Sequence, residues 1–300
     1  MAILRAVSRY RLIFSGAPVY VRAVRPKPGV ELRRASPLDV GTMGRVYLNA
    51  YRGDEVRDVP PMVLKSLSMC LRVSCGHCVV AEIDSETVGM GCLFPYRGAA
   101  WIGGMAVERR WQRRGIGTRI MAKLLEMAEN LGISNIGLDA TEAGKRLYRK
   151  FGFVEVCEVP TYVINRDALP RVRTAIEVLD YVPSNVAAMD RGVMGFDRSQ
   201  LLNEIVRHGA LLVSDGGYAF VWWGRIGPLV ANSLDTAIAL ISRAVELGAR
   251  RISIPLASPL GRELVKKLNL CEEFRCTRMV QGSIETDYSR LVAIASYAFG

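Results

Sequence analysis

The sequence has 300 residues, of which 50% are hydrophobic and 23% are charged, and its formal net charge is +11. This composition excludes a disordered or fibrous chain, and the length favours two domains of roughly 150 residues each. No charge-free apolar run reaches the roughly 18–20 residues that span a bilayer, so we expect no membrane helix.

The first 29 residues form a basic arm without an acidic residue. They carry +6 of the net charge, whereas residues 30–160 carry +3 and residues 161–300 carry +2. Such an arm could be a signal peptide, a transit peptide or a phosphate-binding tail, but its apolar stretch from Leu12 to Val21 is short and interrupted by Gly and Pro. We interpret it as an extension outside the main fold. Because the remaining chain is nearly neutral, we do not expect a nucleic-acid partner.

The cysteines raise the question of redox or metal chemistry. Cys75 and Cys78 have the CxxC spacing of thiol oxidoreductases, in which a helix N-terminus activates the first thiolate. Here the pair runs into VVAEID, which is typical of a strand, so no helix would lower the thiol pKa. Zinc needs a second ligand pair, and Cys271 and Cys276 fit that spacing poorly. We therefore expect no metal, and free, buried or incidental cysteines in a reducing cytoplasm.

The most informative segment runs from Ala100 to Val156. It begins with AAWIGGMAVE, which is typical of a buried strand, and continues into a basic loop that contains Gly115 and Gly117. An amphipathic helix follows, with the apolar residues Ile120, Leu124, Met127 or Ala128, and Leu131 on one face. The order is strand, glycine-containing basic loop, helix.

This order has the chemistry of an anion site. A helix N-terminus presents unpaired N–H groups and the positive end of the helix dipole. Gly115 and Gly117 would let a phosphate approach the backbone, and Arg113 and Arg114 could add charge-assisted hydrogen bonds. The spacing matches neither the Walker loop nor the complete GxGxxG fingerprint of dinucleotide-binding folds.

Two motifs indicate a family. The QRRGIG of residues 112–117 and the LYRKFGF of residues 147–153 resemble the pyrophosphate loop and the LYxxxGF segment of the GNAT superfamily of acyl-CoA-dependent N-acetyltransferases. The resemblance covers roughly residues 30–165. It implies an α+β (α/β) fold with a mixed, mostly antiparallel twisted sheet flanked by helices, and acetyl-CoA as cosubstrate.

The resemblance also implies roles for single residues. Backbone groups at the end of the fourth strand would hold the acetyl carbonyl and the pantetheine arm, the loop would hold the pyrophosphate, and Tyr148 would protonate the departing thiolate. Thr141 stands where relatives often have Asn. The implied cofactor-binding residues are Met105, Ala106, Val107, Gln112, Arg113, Arg114, Gly115, Ile116, Gly117, Thr118 and Thr141.

The general base stays open. Many relatives have a Glu on the fourth strand, where this chain has Trp101 and no carboxylate. Asp139, at the end of the fifth strand, and Glu108, just past the fourth, are the candidates. Either carboxylate could instead cap a helix or form an ion pair, and a water relay to bulk solvent is the third alternative.

Residues 210–283 repeat the same order of elements without its chemistry. The pairs Leu131–Gly132 and Leu247–Gly248 coincide at an offset of 116, but the glycine loop is replaced and Val265 stands where the first copy has Tyr148. Asp235 would put a negative charge at the second helix N-terminus. This half could shape the acceptor site, with Trp222, Trp223 and Arg225 as lining residues, or cover a sheet edge.

The sequence therefore predicts tandem GNAT-like domains: a basic extension over 1–29, a catalytic domain over 30–168 and a degenerate domain over 169–300. The predicted function is transfer of an acetyl group from acetyl-CoA to a primary amine, by direct attack in a ternary complex. The alternative is a non-catalytic acyl-CoA-binding sensor or regulatory module. Neither the acceptor nor the oligomeric state can be inferred.

Overall fold

The computed structural model describes residues 12–14, 17–19, 29–52, 56, 58–170 and 175–300. Two short strands, β1 (Leu12–Phe14) and β2 (Ala17–Val19), pair antiparallel. The remainder of the basic arm before Gly29 lies outside the described residues, so the predicted role of the arm stays a prediction.

The first half has the predicted order of strands and helices. Its elements are β3 (Val30–Arg34), α1 (Val40–Arg52), α2 (Pro61–Val73), β4 (Cys78–Ile83), β5 (Glu86–Pro95), β6 (Ala100–Val107), α3 (Ile116–Asn130), β7 (Ile136–Ala140), α4 (Glu142–Arg149) and β8 (Val154–Val163). The predicted face of α3 is buried from Ile120 to Ala128, whereas Leu131 is 44% exposed because the helix ends at Asn130.

The second half repeats this order, as the sequence predicts. Its elements are β9 (Glu177–Leu179), α5 (Ser184–Met194), α6 (Ser199–Val206), β10 (Gly209–Ser214), β11 (Gly217–Trp222), β12 (Arg225–Ala231), α7 (Leu234–Glu246), β13 (Arg251–Ser253), α8 (Pro259–Lys267), β14 (Cys271–Gln281) and β15 (Leu291–Ala293).

The two halves share one 13-stranded sheet, in the order β3-β4-β5-β6-β7-β14-β8-β13-β12-β11-β10-β9, with β15 beside β12. The pairs β6–β7 and β12–β13 are parallel and the other pairs are antiparallel. This confirms the predicted mixed, mostly antiparallel pairing. The strands of the two halves, however, form one continuous sheet. The strand β14 of the second half lies between β7 and β8, and β8 lies between β14 and β13. Each half thus supplies a strand to the other, and the boundary at residue 168 stays a prediction.

Helices cover both faces of the sheet. The helix α3 buries Ile120 and Leu124 in a core that also contains Phe151 of the segment after α4. The helices α1, α2, α5 and α6 pack on the opposite face, and α7 and α8 cover a third core, in the second half. Residues of β6 on the α1 side, such as Trp101, therefore pack in a core that both halves of the molecule share.

One expectation about the cysteines is wrong. Cys78 and Cys92 are bonded in a disulfide, with their Cα atoms 4.0 Å apart, because they are opposed across the β4–β5 pair. Cys75 remains free and exposed, so the CxxC spacing does not form a disulfide of its own. Cys276, also free, is buried on β14.

Candidate functional site

The sheet opens between β6 and β7. These parallel strands pair only from Ala100 to Ile102, after which β7 continues along β14. A register shift against β5 adds an extra residue to β6 near Gly104, whose φ is 62°. The backbone from Gly103 to Val107 therefore has no strand partner on its β7 side. The predicted residues Met105, Ala106 and Val107 lie along this opening.

The loop before α3 presents a row of free amides. The helix begins after Gly115, which has a φ of 85° and no side-chain cap. Arg119 N donates to Gly115 O at 3.1 Å, whereas in the described part of the chain the N–H groups of residues 113–118 donate to no protein acceptor. These six residues are Arg113, Arg114, Gly115, Ile116, Gly117 and Thr118. Unbonded N–H groups at the positive end of a helix dipole are the kind of donors that bind anions, and this row lies beside Val107, at the end of β6.

Side chains fix this loop and add positive charge. Gln112 Nε2 donates to the Val107 carbonyl at 2.9 Å, so Gln112 ties the loop to the end of β6. The Arg114 guanidinium lies 4.6 Å from the Trp111 ring centroid. Arg119 was not predicted: its Nη1 is buried without a hydrogen-bond partner among the described residues. A phosphate oxygen would supply that partner, and the position of Arg119 in the first turn of the helix was the available signal.

Tyr148 lies on α4 close to the split. It is largely buried, its ring passes over Gly144, and its ring centroid is 6.3 Å from that of Phe153. Its hydroxyl makes no hydrogen bond to the described residues, and the residue is 8% exposed. Burial raises the pKa of Tyr148 above its ordinary value, so the phenol carries its proton at neutral pH. Thr141 precedes α4 as its N-cap residue, without a side-chain capping bond.

Asp139 is held in a buried ion pair. Its two carboxylate oxygens accept from Arg278 Nε and Nη2 at 3.0 and 2.9 Å, and the two side chains are 0% and 2% exposed. Burial raises the pKa of Asp139, and the Arg278 charge opposes that shift. The guanidinium also lies 4.5 Å from the Trp101 ring centroid. Because both oxygens are engaged, this geometry favours a structural role that fastens β7 to β14.

Glu108 is also engaged. Its Oε2 accepts from Arg110 Nε at 3.0 Å, and its Oε1 accepts from Asn49 Nδ2 at 3.4 Å. It contributes to a polar cleft of about 430 Å³ that includes Arg33 and Asp39 near the β4–β5 turn. Both predicted bases thus have cationic partners in the structure.

A pair of tyrosines on α1 lies beside β6 at the split. The ring centroids of Tyr47 and Tyr51 are 4.9 Å apart, and the Tyr51 hydroxyl donates to Met105 O at 3.0 Å. Tyr47 and Tyr51 are 37% and 54% exposed, and desolvation by the surrounding protein raises the pKa of both hydroxyls. Cys276 lies nearby, and burial raises its pKa to about 12. Sequence reasoning missed this cluster, although the i, i+4 spacing of the tyrosines indicated a shared face.

The corresponding helix of the second half is capped differently. The Ser233 hydroxyl accepts from Thr236 N at 3.1 Å, and Asp235 lies in the first turn of α7. A side chain therefore takes the place that an anion would occupy at α3.

Two other features complete the description of the surface. A cleft of about 500 Å³ between α2 and the end of α6 includes Lys65, Arg207 and Trp223; of the residues that the sequence suggested for the site, only Trp223 lines it. No helix in the described ranges has the length and apolar character needed to cross a membrane. In those same ranges, no cluster of three or more His, Cys, Asp or Glu residues is placed to hold a metal.

Comparisons with known proteins agree with this geometry. A family model described as "Acetyltransferase (GNAT) family" matches residues 46–153, and a second, "Acetyltransferase (GNAT) domain", matches residues 186–292. The two matches lie in tandem, which confirms the predicted arrangement. A curated relative, the probable glucosamine 6-phosphate N-acetyltransferase 2 of Oryza sativa subsp. japonica, is 33% identical over 82 residues. That alignment spans 25% of this chain and about half (49%) of the relative.

Solved structures match over nearly the whole chain. A putative acetyltransferase from Pyrococcus horikoshii has a TM-score of 0.86 and 33% identity, and the match covers 94% of this chain and 99% of that one. A GCN5-related N-acetyltransferase from Sphaerobacter thermophilus has a TM-score of 0.58 and 14% identity, covering 86% and 98% of the two chains. The second match supports the fold alone.

Proposed function

The chain belongs to the acetyltransferase (GNAT) family, and we propose that it transfers an acetyl group from acetyl-CoA to a primary amine by direct attack in a ternary complex. One observation carries this proposal: the free amides that precede α3 stand at the mouth of the split between β6 and β7. A single molecule with a pyrophosphate and a long thioester arm would engage both features at once.

The residues present fit such a molecule. The six free amides and the unpartnered Nη1 of Arg119 would bind phosphate oxygens, with Arg113 and Arg114 adding charge. Backbone groups from Met105 to Val107 would hold the arm along the open edge of β6. When bound, acetyl-CoA supplies a thioester carbonyl that accepts the amine and a thiolate that leaves.

We assign Tyr148 as the residue that donates a proton to the departing sulfur. Its phenol is protonated at neutral pH and its hydroxyl has no acceptor among the described residues, which suits a donor. Cys276 supports direct attack over a covalent enzyme intermediate, because a thiol with a pKa of about 12 is a poor nucleophile at neutral pH.

The amine must lose a proton before it attacks. Because Asp139 and Glu108 both have arginine partners, we propose that water in the split accepts this proton. A non-catalytic acyl-CoA sensor needs no free base, so the two paired carboxylates are also compatible with that second candidate. Tight CoA binding without transfer to any amine would identify that second candidate.

We further assign catalysis to residues 30–168 and a supporting role to residues 169–300. The amide row and Tyr148 belong to the first range, whereas Ser233 caps α7 in the second. The name of the Oryza relative specifies glucosamine 6-phosphate, and we propose that amine as the first acceptor to test.

A thiol-release assay over an amine panel tests the proposal. Tyr148→Phe should lower kcat by about 10² or more, since general acid–base catalysis is typically worth ~10²–10⁴, while the Kd for CoA stays the same. Tyr181→Phe is the matched control, because Tyr181 is exposed on the second half. Equal turnover of Tyr148→Phe and wild type would refute the assignment of the acid.

A further inference from the structure

Arg225 occupies an unusual position on the second half. It begins β12, directly opposite Trp222 at the end of β11, and its guanidinium lies 5.7 Å from the Trp222 ring centroid. The turn between them consists of Trp223 and Gly224, both with positive φ. The side chain of Arg225 is half-buried. It therefore projects from a tight hairpin end over an aromatic surface.

This guanidinium has no counter-ion among the residues described. Within the described ranges, no carboxylate forms an ion pair with it and no hydrogen bond joins it to the protein. By contrast, Arg251, its partner on β13, pairs with Glu273 at 2.6 Å, and the buried Arg278 and Arg198 each pair with an aspartate. Burial lowers the pKa of Arg225, as expected for a desolvated cation without a carboxylate. A cation placed in this way is costly unless something else binds it.

The residues around Arg225 connect it to the split. Trp222, which lies under the Arg225 guanidinium, packs in one core with Val46 of α1 and Ala106 of β6. The next residue of α1, Tyr47, has its ring centroid 4.9 Å from that of Tyr51, whose hydroxyl donates to the Met105 carbonyl at 3.0 Å. The core beneath Arg225 on the second half therefore extends to α1 and β6 on the first.

We propose that the acceptor is an amine that also carries an anionic group, a carboxylate or a phosphate, and that Arg225 binds this group. The inference rests on the proposed acetyl transfer, and it assigns the second half a specificity-determining residue. With its anion at Arg225 and its uncharged end along Tyr47 and Tyr51, such an acceptor would present its amine at the β6 edge. A guanidinium binds both kinds of anion through paired N–H donors, so the shared chemistry is an oxyanion.

Matched acceptor pairs test the proposal. Glucosamine 6-phosphate with glucosamine forms the phosphate arm, and an α-amino acid with its amide forms the carboxylate arm. In at least one arm the wild type should prefer the anionic member, and Arg225→Gln should reduce its kcat/KM by about 10-fold or more, mainly through KM. The neutral member and the KM for acetyl-CoA should be unchanged. Arg225→Lys should recover part of the loss.

The control is Arg243→Gln, an exposed arginine on α7 that pairs with Glu246. It should behave as wild type with every acceptor. If Arg225→Gln has no effect, or affects charged and neutral members equally, the proposal is wrong. Transfer that prefers neutral amines would overturn this inference and leave the proposed function intact.

A binding measurement distinguishes failure of the Arg225 inference from failure of the proposed acetyl transfer. In calorimetry with CoA-saturated protein, CoA occupies the amides of residues 113–118. The heat of binding of an anionic amine then reports on the acceptor site alone. Binding that Arg225→Gln weakens, without any transfer, would support the anion site and refute the proposed function. Absence of both binding and transfer would refute both.

Discussion

The two glycines at the start of α3 are explained by different physical causes. Gly115 adopts a φ of 85°, in the left-handed region, because the chain must turn sharply into α3. Gly117 has no positive φ, and a Cβ there would lie 3.5 Å from Leu147 Cδ2 and 3.8 Å from Val107 Cγ2. These are ordinary contacts, so protein packing does not demand a glycine at 117. The space that Gly117 leaves opens toward the end of β6, where the pantetheine arm would pass.

Gly117→Ala should therefore separate folding from binding. Ala in a helix is more favourable than Gly by about 1 kcal/mol, so the melting temperature should stay the same or rise. The added methyl group should weaken CoA binding by about 10-fold or more, measured by calorimetry. Gly192→Ala, at an open position in the last turn of α5, is the matched control that should leave CoA affinity unchanged. Unchanged affinity in Gly117→Ala would contradict the role of this opening.

At the scale of elements, local patterns predict strands and helices but not their partners. The apolar period of α3, the loop and the LYRKFGF segment are local, and the structure has the predicted order of elements around them. The pairing of β14 with β7 is decided by packing between segments far apart in sequence. The position of Asp139 at a strand end made it a candidate base in the sequence. Its partner Arg278 lies 139 residues away, so the ion pair could not be predicted. The contacts of Tyr51 and the isolation of Arg225 were invisible for the same reason.

The Asp139–Arg278 pair should stabilise the exchanged strands. Arg278→Met would leave the Asp139 carboxylate buried without a partner, at a cost of about 3–5 kcal/mol in the free energy of unfolding. The double variant Asp139→Asn, Arg278→Met should recover part of that loss, because no buried charge remains. Urea unfolding measures both variants. If Asp139 is structural, the folded double variant keeps substantial kcat; a kcat near zero in well-folded protein would instead identify Asp139 as the base.

At the scale of the whole molecule, the exchange of β8 and β14 makes the halves interdependent. The split that we propose to bind CoA is bordered by β7, whose other edge is covered by a strand of the second half. Without β14, this edge would expose unpaired backbone groups, and β8 would lose the strand that joins it to β7. The tandem arrangement thus completes the sheet of the first half.

Separation of the chain between Pro170 and Ala175 tests this dependence. We expect residues 1–170 alone to be insoluble or unfolded, because the removal of β14 leaves both Asp139 and the β7 edge unpartnered. Co-expression with residues 175–300 should restore a complex of both pieces that binds CoA, observed by size-exclusion chromatography and calorimetry. Full-length protein with a protease site inserted at the same place is the control, and it should stay associated after cleavage. A folded, monomeric first half that binds CoA as tightly as the intact chain would show that the shared sheet is not required for the site.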